Sequence, residues 1–161
     1  MLTEKPYDRQ KAYEYAMTWA LGRNPQYFNF TGSGGDCTNF ISQCVYAGSG
    51  VMNENTSEGW YYHSPKHRAP SWTSVFYFYD FMINNKGRGP YARQIPAEAA
   101  EIGDVIQLGN ENGVFYHALL VSGFIDHTIL VCAHTDDSQN RRLDTYYYSV
   151  ARFLHIQGVR H

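Results

Sequence analysis

The sequence is short of charge. Asp, Glu, Lys and Arg make up 17% of its 161 residues, against a usual share of about 25%. The balance is also nearly even: 13 basic against 15 acidic residues give a net charge of −2. That excludes the basic surface on which nucleic-acid binding depends, so no nucleic-acid partner is expected. There is no apolar run of 18 residues, so no membrane span is expected. The opening Met1-Leu2-Thr3-Glu4-Lys5-Pro6 lacks the charged-then-apolar pattern of a secretory leader. The expectation is therefore a protein exported by another route, or a domain of a larger multi-domain protein. Cysteine is scarce and odd in number: Cys37, Cys44 and Cys132 do not make a disulfide framework. No CxxC or HExxH spacing suggests a metal, and no cofactor is called for.

Aromatic residues, by contrast, are plentiful, at 16% of the chain with 14 tyrosines. A load that apolar is incompatible with disorder. It implies a large aromatic core or a stacking surface. At this length roughly 69% of the unfolded chain's surface is hidden on folding. The chain reads as one domain over residues 1–161, with no repeat or linker.

The pattern divides into a helical half and a strand half. A first helix is expected from Asp8 to Leu21, with Ala12, Tyr13, Ala16, Trp19 and Ala20 at helical spacing. A second has the clearest start. Ser33-Gly34-Gly35 is a turn, Asp36 a good cap, and Cys37, Phe40, Ile41, Cys44 and Val45 one apolar stripe. A third should run from Ser71 through Trp72, Val75, Phe76, Tyr79, Met82 and Ile83. Thereafter the period becomes two. Strands are expected near 92–95, 105–108, 116–124, 129–134 and 151–157, with Asp126-His127 as a hairpin tip. Helices followed by an antiparallel sheet define the α+β class.

Cys37 stands where chemistry is favoured. The free N–H groups and macrodipole of a helix start stabilise an anion. A helix N-terminus with a neighbouring imidazole can bring a thiol pKa to roughly 3.5–7.5. The same N–H groups can hold a developing oxyanion, and Gly34-Gly35 would let a carbonyl come close. The plainer alternative, a small buried cysteine atop an apolar stripe, stays open. A nucleophile also needs an oriented base. If the Asp126-His127 tip sets an unbroken ladder, paired residue numbers sum to 253. His117, His134 and Asp136 then share one face, with His117 and His134 diagonal neighbours about 7–8 Å apart.

The run Gly35-Asp36-Cys37-Thr38-Asn39-Phe40-Ile41-Ser42-Gln43-Cys44 resembles the nucleophile motif of the bacterial putative amidase domain family. That family is a branch of the papain-like cysteine hydrolases, related to CHAP- and NlpC-type cell-wall hydrolases. The likeness extends to Tyr7-Asp8-Arg9, Gly59-Trp60-Tyr61-Tyr62, Pro70-Ser71-Trp72, Gly103-Asp104-Val105-Ile106, the His117 strand, His134-Thr135-Asp136 and Arg152-Phe153-Leu154-His155-Ile156. The resemblance implies a papain-like fold with Cys37 as nucleophile and His117 as base. His134, or failing that Asp136, would be the third polar member. Tyr27 and the Asp36 position would serve the oxyanion hole. Trp60, Tyr61, Tyr62 and Trp72 would line a groove, with core packing as the alternative for each. It further implies hydrolysis of an amide bond in bacterial peptidoglycan, at the cell wall, through a thioester. An acyltransferase with the same triad, and an inactive peptidoglycan- or glycan-binding module, remain alternatives.

Overall fold

A computed structural model describes all residues 1–161. The chain opens with a two-residue strand, β1 (Glu4–Lys5), and helix α1 (Arg9–Trp19). Asp8 caps α1 by accepting the Lys11 N–H, as its side chain is suited to do. The helix stops earlier than the Leu21 expected of it. Helix α2 (Cys37–Ser49) begins at the expected residue and ends in Gly50, whose φ of 66° is the left-handed C-cap that glycine adopts without penalty. The third expected helix is two. Helix α3 (Pro70–Thr73) and helix α4 (Val75–Asn84) are separated by Ser74, which is extended (φ −110°, ψ 128°) and caps α4 through Tyr77 N–H. Serine's preference for capping over helix interiors explains the break. Between α2 and α3 lies a two-stranded ribbon, β2 (Tyr62–Ser64) and β3 (His67–Arg68).

The remaining strands are β4 (Gly89–Ile95), β5 (Val105–Gly109), β6 (Phe115–Ile125), β7 (Thr128–Ala133), β8 (Ser138–Arg142) and β9 (Val150–Arg160). They form an antiparallel sheet in the order β1-β9-β5-β6-β7-β8, with β4 also paired to β9. The α+β class follows. Strand β8 has the polar sequence SQNRR and carries no apolar alternation, which is why its sequence gives no strand signal.

The sheet has two apolar faces. Ala118, Leu120, Cys132, Leu154 and Ile156 pack with the helices, while Leu119, Val121, Val131 and Ala133 join Ile106 and Leu108 on the far side. Trp60 and Trp72 sit on the helical side, their rings 4.7 Å apart, and both are fully buried. Their indole N–H groups donate to Ser42 Oγ and Asn39 Oδ1 of α2. The aromatic richness thus serves the core. A buried carboxylate supplies the second tether: Asp104 accepts from Arg9, His155, Glu101 N–H and Ile156 N–H, joining α1 to β5 and β9.

The residues that lead into α1 close tightly on α2 at Gly48. A Cβ there would lie 2.5 Å from the Tyr7 ring and 2.7 Å from the Asp8 carbonyl oxygen. Gly48→Ala should therefore lower unfolding stability by about 1–3 kcal/mol, the usual range for overpacking. Urea denaturation with an unchanged midpoint would refute it.

Candidate active site

Helix α2 presents Cys37 at its first position. Gly34 and Gly35 precede it with φ of 97° and 100°, a conformation that side-chain-bearing residues rarely adopt. Asp36 does not cap the helix with its side chain. It turns inward instead and is fully buried. Its Oδ1 accepts Phe30 N–H at 2.8 Å and Asn39 Nδ2 at 2.9 Å, and its Oδ2 meets His134 Nδ1 at 2.5 Å. The first-turn N–H groups of α2 are thereby left without a carboxylate cap. Burial alone pushes the Asp36 carboxyl up, but the hydrogen bonds from His134, Asn39 and Phe30 outweigh it and hold the group below its usual value. Such a carboxylate only accepts. Its side chain therefore gives the Asp36 position no donor for an oxyanion hole.

Cys37 is half-buried, whereas Cys44 and Cys132 are buried. Its thiol lies 3.9 Å from Thr38 Oγ1. Burial pushes the thiol up, and this outweighs the Ala118 N–H, the Thr38 hydroxyl and the Thr38 N–H, which all favour the thiolate; the Asp36 charge adds to the rise. The lowered thiol expected of a helix start is corrected here: desolvation wins over the helix N–H groups.

The expected single face of His117, His134 and Asp136 is corrected as well. The ladder does begin with a sum of 253, in Ile125↔Thr128, Phe124↔Ile129 and Gly123↔Leu130. The register then shifts, and Val121 pairs Val131 while Leu120 pairs Cys132. One bulged residue, Ser122, moves the remaining ladder by one position and so exchanges faces. Strand β7 also ends at Ala133, and Thr135 and Asp136 follow in the left-handed region.

His134 consequently lies on the helical side, 1% exposed, with its ring stacked 4.0 Å from that of Phe40. Its Nε2 is 2.8 Å from the Trp19 carbonyl oxygen. Its polar neighbours are Asp36, Trp19 and Arg23, not His117. His117 shares the strand parity of Leu119 and sits 5.9 Å from the Tyr146 ring. It stands on the stretch of β6 that β7 does not reach. Burial and the Arg141 charge lower its pKa to about 4, against the opposing pull of Asp136. The imidazole is neutral at physiological pH, and of the two sequence candidates for its partner Asp136 is the one whose charge it feels. No hydrogen bond joins the Cys37 thiol to either histidine. Ala118, next in chain to His117, is the β6 residue whose N–H favours the thiolate.

A family profile, described as "Putative amidase domain", matches residues 6–156. The chain belongs to this putative amidase domain family. It is similar to the "Uncharacterized protein YhbB" of Bacillus subtilis (strain 168), at 36% identity over 139 residues. That alignment covers 84% of this chain and 43% of the relative, so the chain spans under half of the relative's length. No solved structure matches the chain. No helix is long and apolar enough to cross a membrane.

Within this amidase-family domain the expected groove aromatics are placed differently. Trp60 and Trp72 are enclosed in the core, and Tyr61 and Tyr62 are 7% exposed. Trp60, Trp72 and Tyr62 belong to the core around α2, Tyr61 packs on the His63 and His67 rings, and of the four Tyr62 also lines a cavity. Tyr27 lies 5.1 Å from the Tyr62 ring and 6.1 Å from that of Trp72. Burial, then the neighbouring Tyr46 and Tyr62, raise its phenol to about 12, which keeps it a donor. It lines a cavity of about 490 Å³ shared with Tyr46, Met52 and Arg88. A larger cavity of about 770 Å³ lies between Asn53–Gly59 and α4. Cys37 and His117 line neither. Sequence reasoning missed Arg23, which binds Asp137 at 2.8 and 3.0 Å and approaches Asp36 Oδ2 at 3.5 Å. An arginine in an irregular segment carries no periodic signal.

His117 gives a pH prediction. Its folded value of about 4 lies below the ordinary 6.5, so the unfolded chain takes up the proton first. Its contribution to stability is complete above about pH 6.5 and is lost as pH falls toward about 4. His117→Gln should flatten that part of the stability–pH curve. Parallel wild-type and variant curves from denaturant titrations across this range would contradict the assignment.

Proposed function

We propose that the domain hydrolyses an amide bond, with Cys37 as nucleophile and His117 as general base. The observation that carries this reading is a single half-buried thiol on a helix start without a side-chain cap, with a neutral imidazole next in chain to Ala118, whose N–H favours the thiolate. Family membership supports amide chemistry. The substrate most consistent with the resemblance is bacterial peptidoglycan or a peptide, and the site of action the cell wall. Because the thiol is not pre-ionised, the proton moves as the bond forms. The Cys37 sulfur attacks the carbonyl carbon while His117 accepts the thiol proton. The first-turn N–H groups of α2 hold the oxyanion. Collapse breaks the C–N bond, and His117 returns the proton to the leaving amine. Water then cleaves the thioester, giving acid and free thiol. Asp136 favours the imidazolium formed on the way. The Cys37–His117 contact forms in the substrate complex rather than in the free protein, and for it the His117 side chain must pass the edge of β6 that β7 leaves uncovered. The papain-like arrangement belongs to the same proposal.

A second reading is favoured by that missing hydrogen bond: a domain of this family that binds cell-wall polymer without cutting it. A transfer of the acyl group to an amine instead of water uses the same residues.

Mass spectrometry of purified peptidoglycan after digestion decides between cutting and binding. New amine and carboxyl ends are expected, absent with Cys37→Ala, and reduced at least ~10²-fold with His117→Ala. The acid limb of the rate profile should fall near pH 4, the His117 value. Intact polymer that co-sediments with the wild-type domain would establish the binding reading. Undiminished turnover by Cys37→Ala would dismiss the nucleophile.

A further inference from the structure

The hydrogen-bond inventory around His134 fixes where its protons are. Arg23 approaches His134 Nε2 at 3.2 Å, yet all five of its N–H groups are spoken for. Nε donates to Asn29 Oδ1, Nη1 to the Gly22 carbonyl and Asp137 Oδ2, and Nη2 to Thr31 Oγ1 and Asp137 Oδ1. Nothing remains for the ring. The other neighbour of Nε2 is the Trp19 carbonyl oxygen at 2.8 Å, which only accepts, so Nε2 donates. Nδ1 faces Asp36 Oδ2 at 2.5 Å. Asp36 Oδ1 already accepts two N–H donors, the environment of an ionised carboxylate, so Nδ1 donates too. The ring lies nearly parallel to Phe40, at 15° and 4.0 Å, an aromatic face that suits a cation.

We infer that His134 is a buried imidazolium whose charge cancels that of the Asp36 carboxylate, so that the Cys37 thiolate forms without a second negative charge beside it. His134 acts through Asp36 and is a positioning residue, not a group that touches substrate. This rests on Cys37 being the nucleophile, but it concerns the thiol itself. Thr38 Oγ1 lies 3.9 Å from the thiol on its own helix, and the Asp36 charge before it and the Ala118 N–H on β6 act on it in opposite directions. Next along β6 stands His117, with Arg141 and Asp136 acting on it. Of these, Asp36 is the formal charge nearest Cys37 in the chain. Its own partners are His134 and Arg23, and Arg23 is balanced by Asp137. Remove His134 and a buried negative charge adjoins the nucleophile.

The test is the pH dependence of iodoacetamide alkylation of Cys37 in the full chain, followed by peptide mass spectrometry. Cys44 and Cys132 are buried and label slowly. His134→Gln should slow Cys37 alkylation at neutral pH about tenfold, with the midpoint raised about one unit. Asp36→Asn with His134→Gln should restore the rate to within about twofold of wild type, since the charge itself is gone. A purely structural role predicts equal slowing in the single and double variants, with an unmoved midpoint; that outcome overturns the inference. Should His134→Gln fail to fold, nitrogen-15 NMR of the wild-type ring decides. Two protonated nitrogens at neutral pH are expected, and one bare nitrogen overturns it. Wall turnover is not read in either measurement, so loss of the hydrolase reading leaves both results standing.

Discussion

The structure turns on a carboxylate that does not do what its position suggests. Asp36 sits where a helix N-cap belongs, yet its side chain enters the core and is held by Phe30 N–H, Asn39 and His134. A buried charge is tolerated only when paired and fully hydrogen-bonded, and both oxygens meet that condition. Two consequences follow. The start of α2 is bound to the end of β7 and, through Arg23, to the segment after α1. The first-turn N–H groups beside Cys37 are also left without a side-chain cap. A capped helix would be the more stable element, but its N–H groups would be occupied.

Three packing devices fix the rest of α2. Trp60 and Trp72 bury their rings against it and donate to Ser42 and Asn39. Gly48 allows Tyr7 and the start of α1 to close over its far end. Asp104 ties α1 to the sheet through Arg9 and His155. Segments that carry the family likeness in the sequence, the Gly103-Asp104 turn and the stretches around Trp60 and Trp72, are thus supports for the helix that carries the thiol. The proximity of Cys37 to β6 follows from that support rather than from any direct bond to a histidine.

Elements with strong periodicity were legible in the sequence. Helix α2 begins at Cys37 because a glycine turn and an apolar stripe meet there. The Asp126-His127 tip forms because two residues with positive φ close a hairpin. Local signals determine such features, and they settled the α+β class and the unusual address of Cys37. Tertiary structure decided what local signals do not encode. A single bulge at Ser122 sends His134 to the helical face and away from His117, since a strand's sidedness reverses with one residue. Whether Asp36 caps its helix or pairs with His134 depends on a residue 98 positions away. The thiol of Cys37 is raised rather than lowered because burial is a property of everything packed around it, and no stretch of sequence carries that sum.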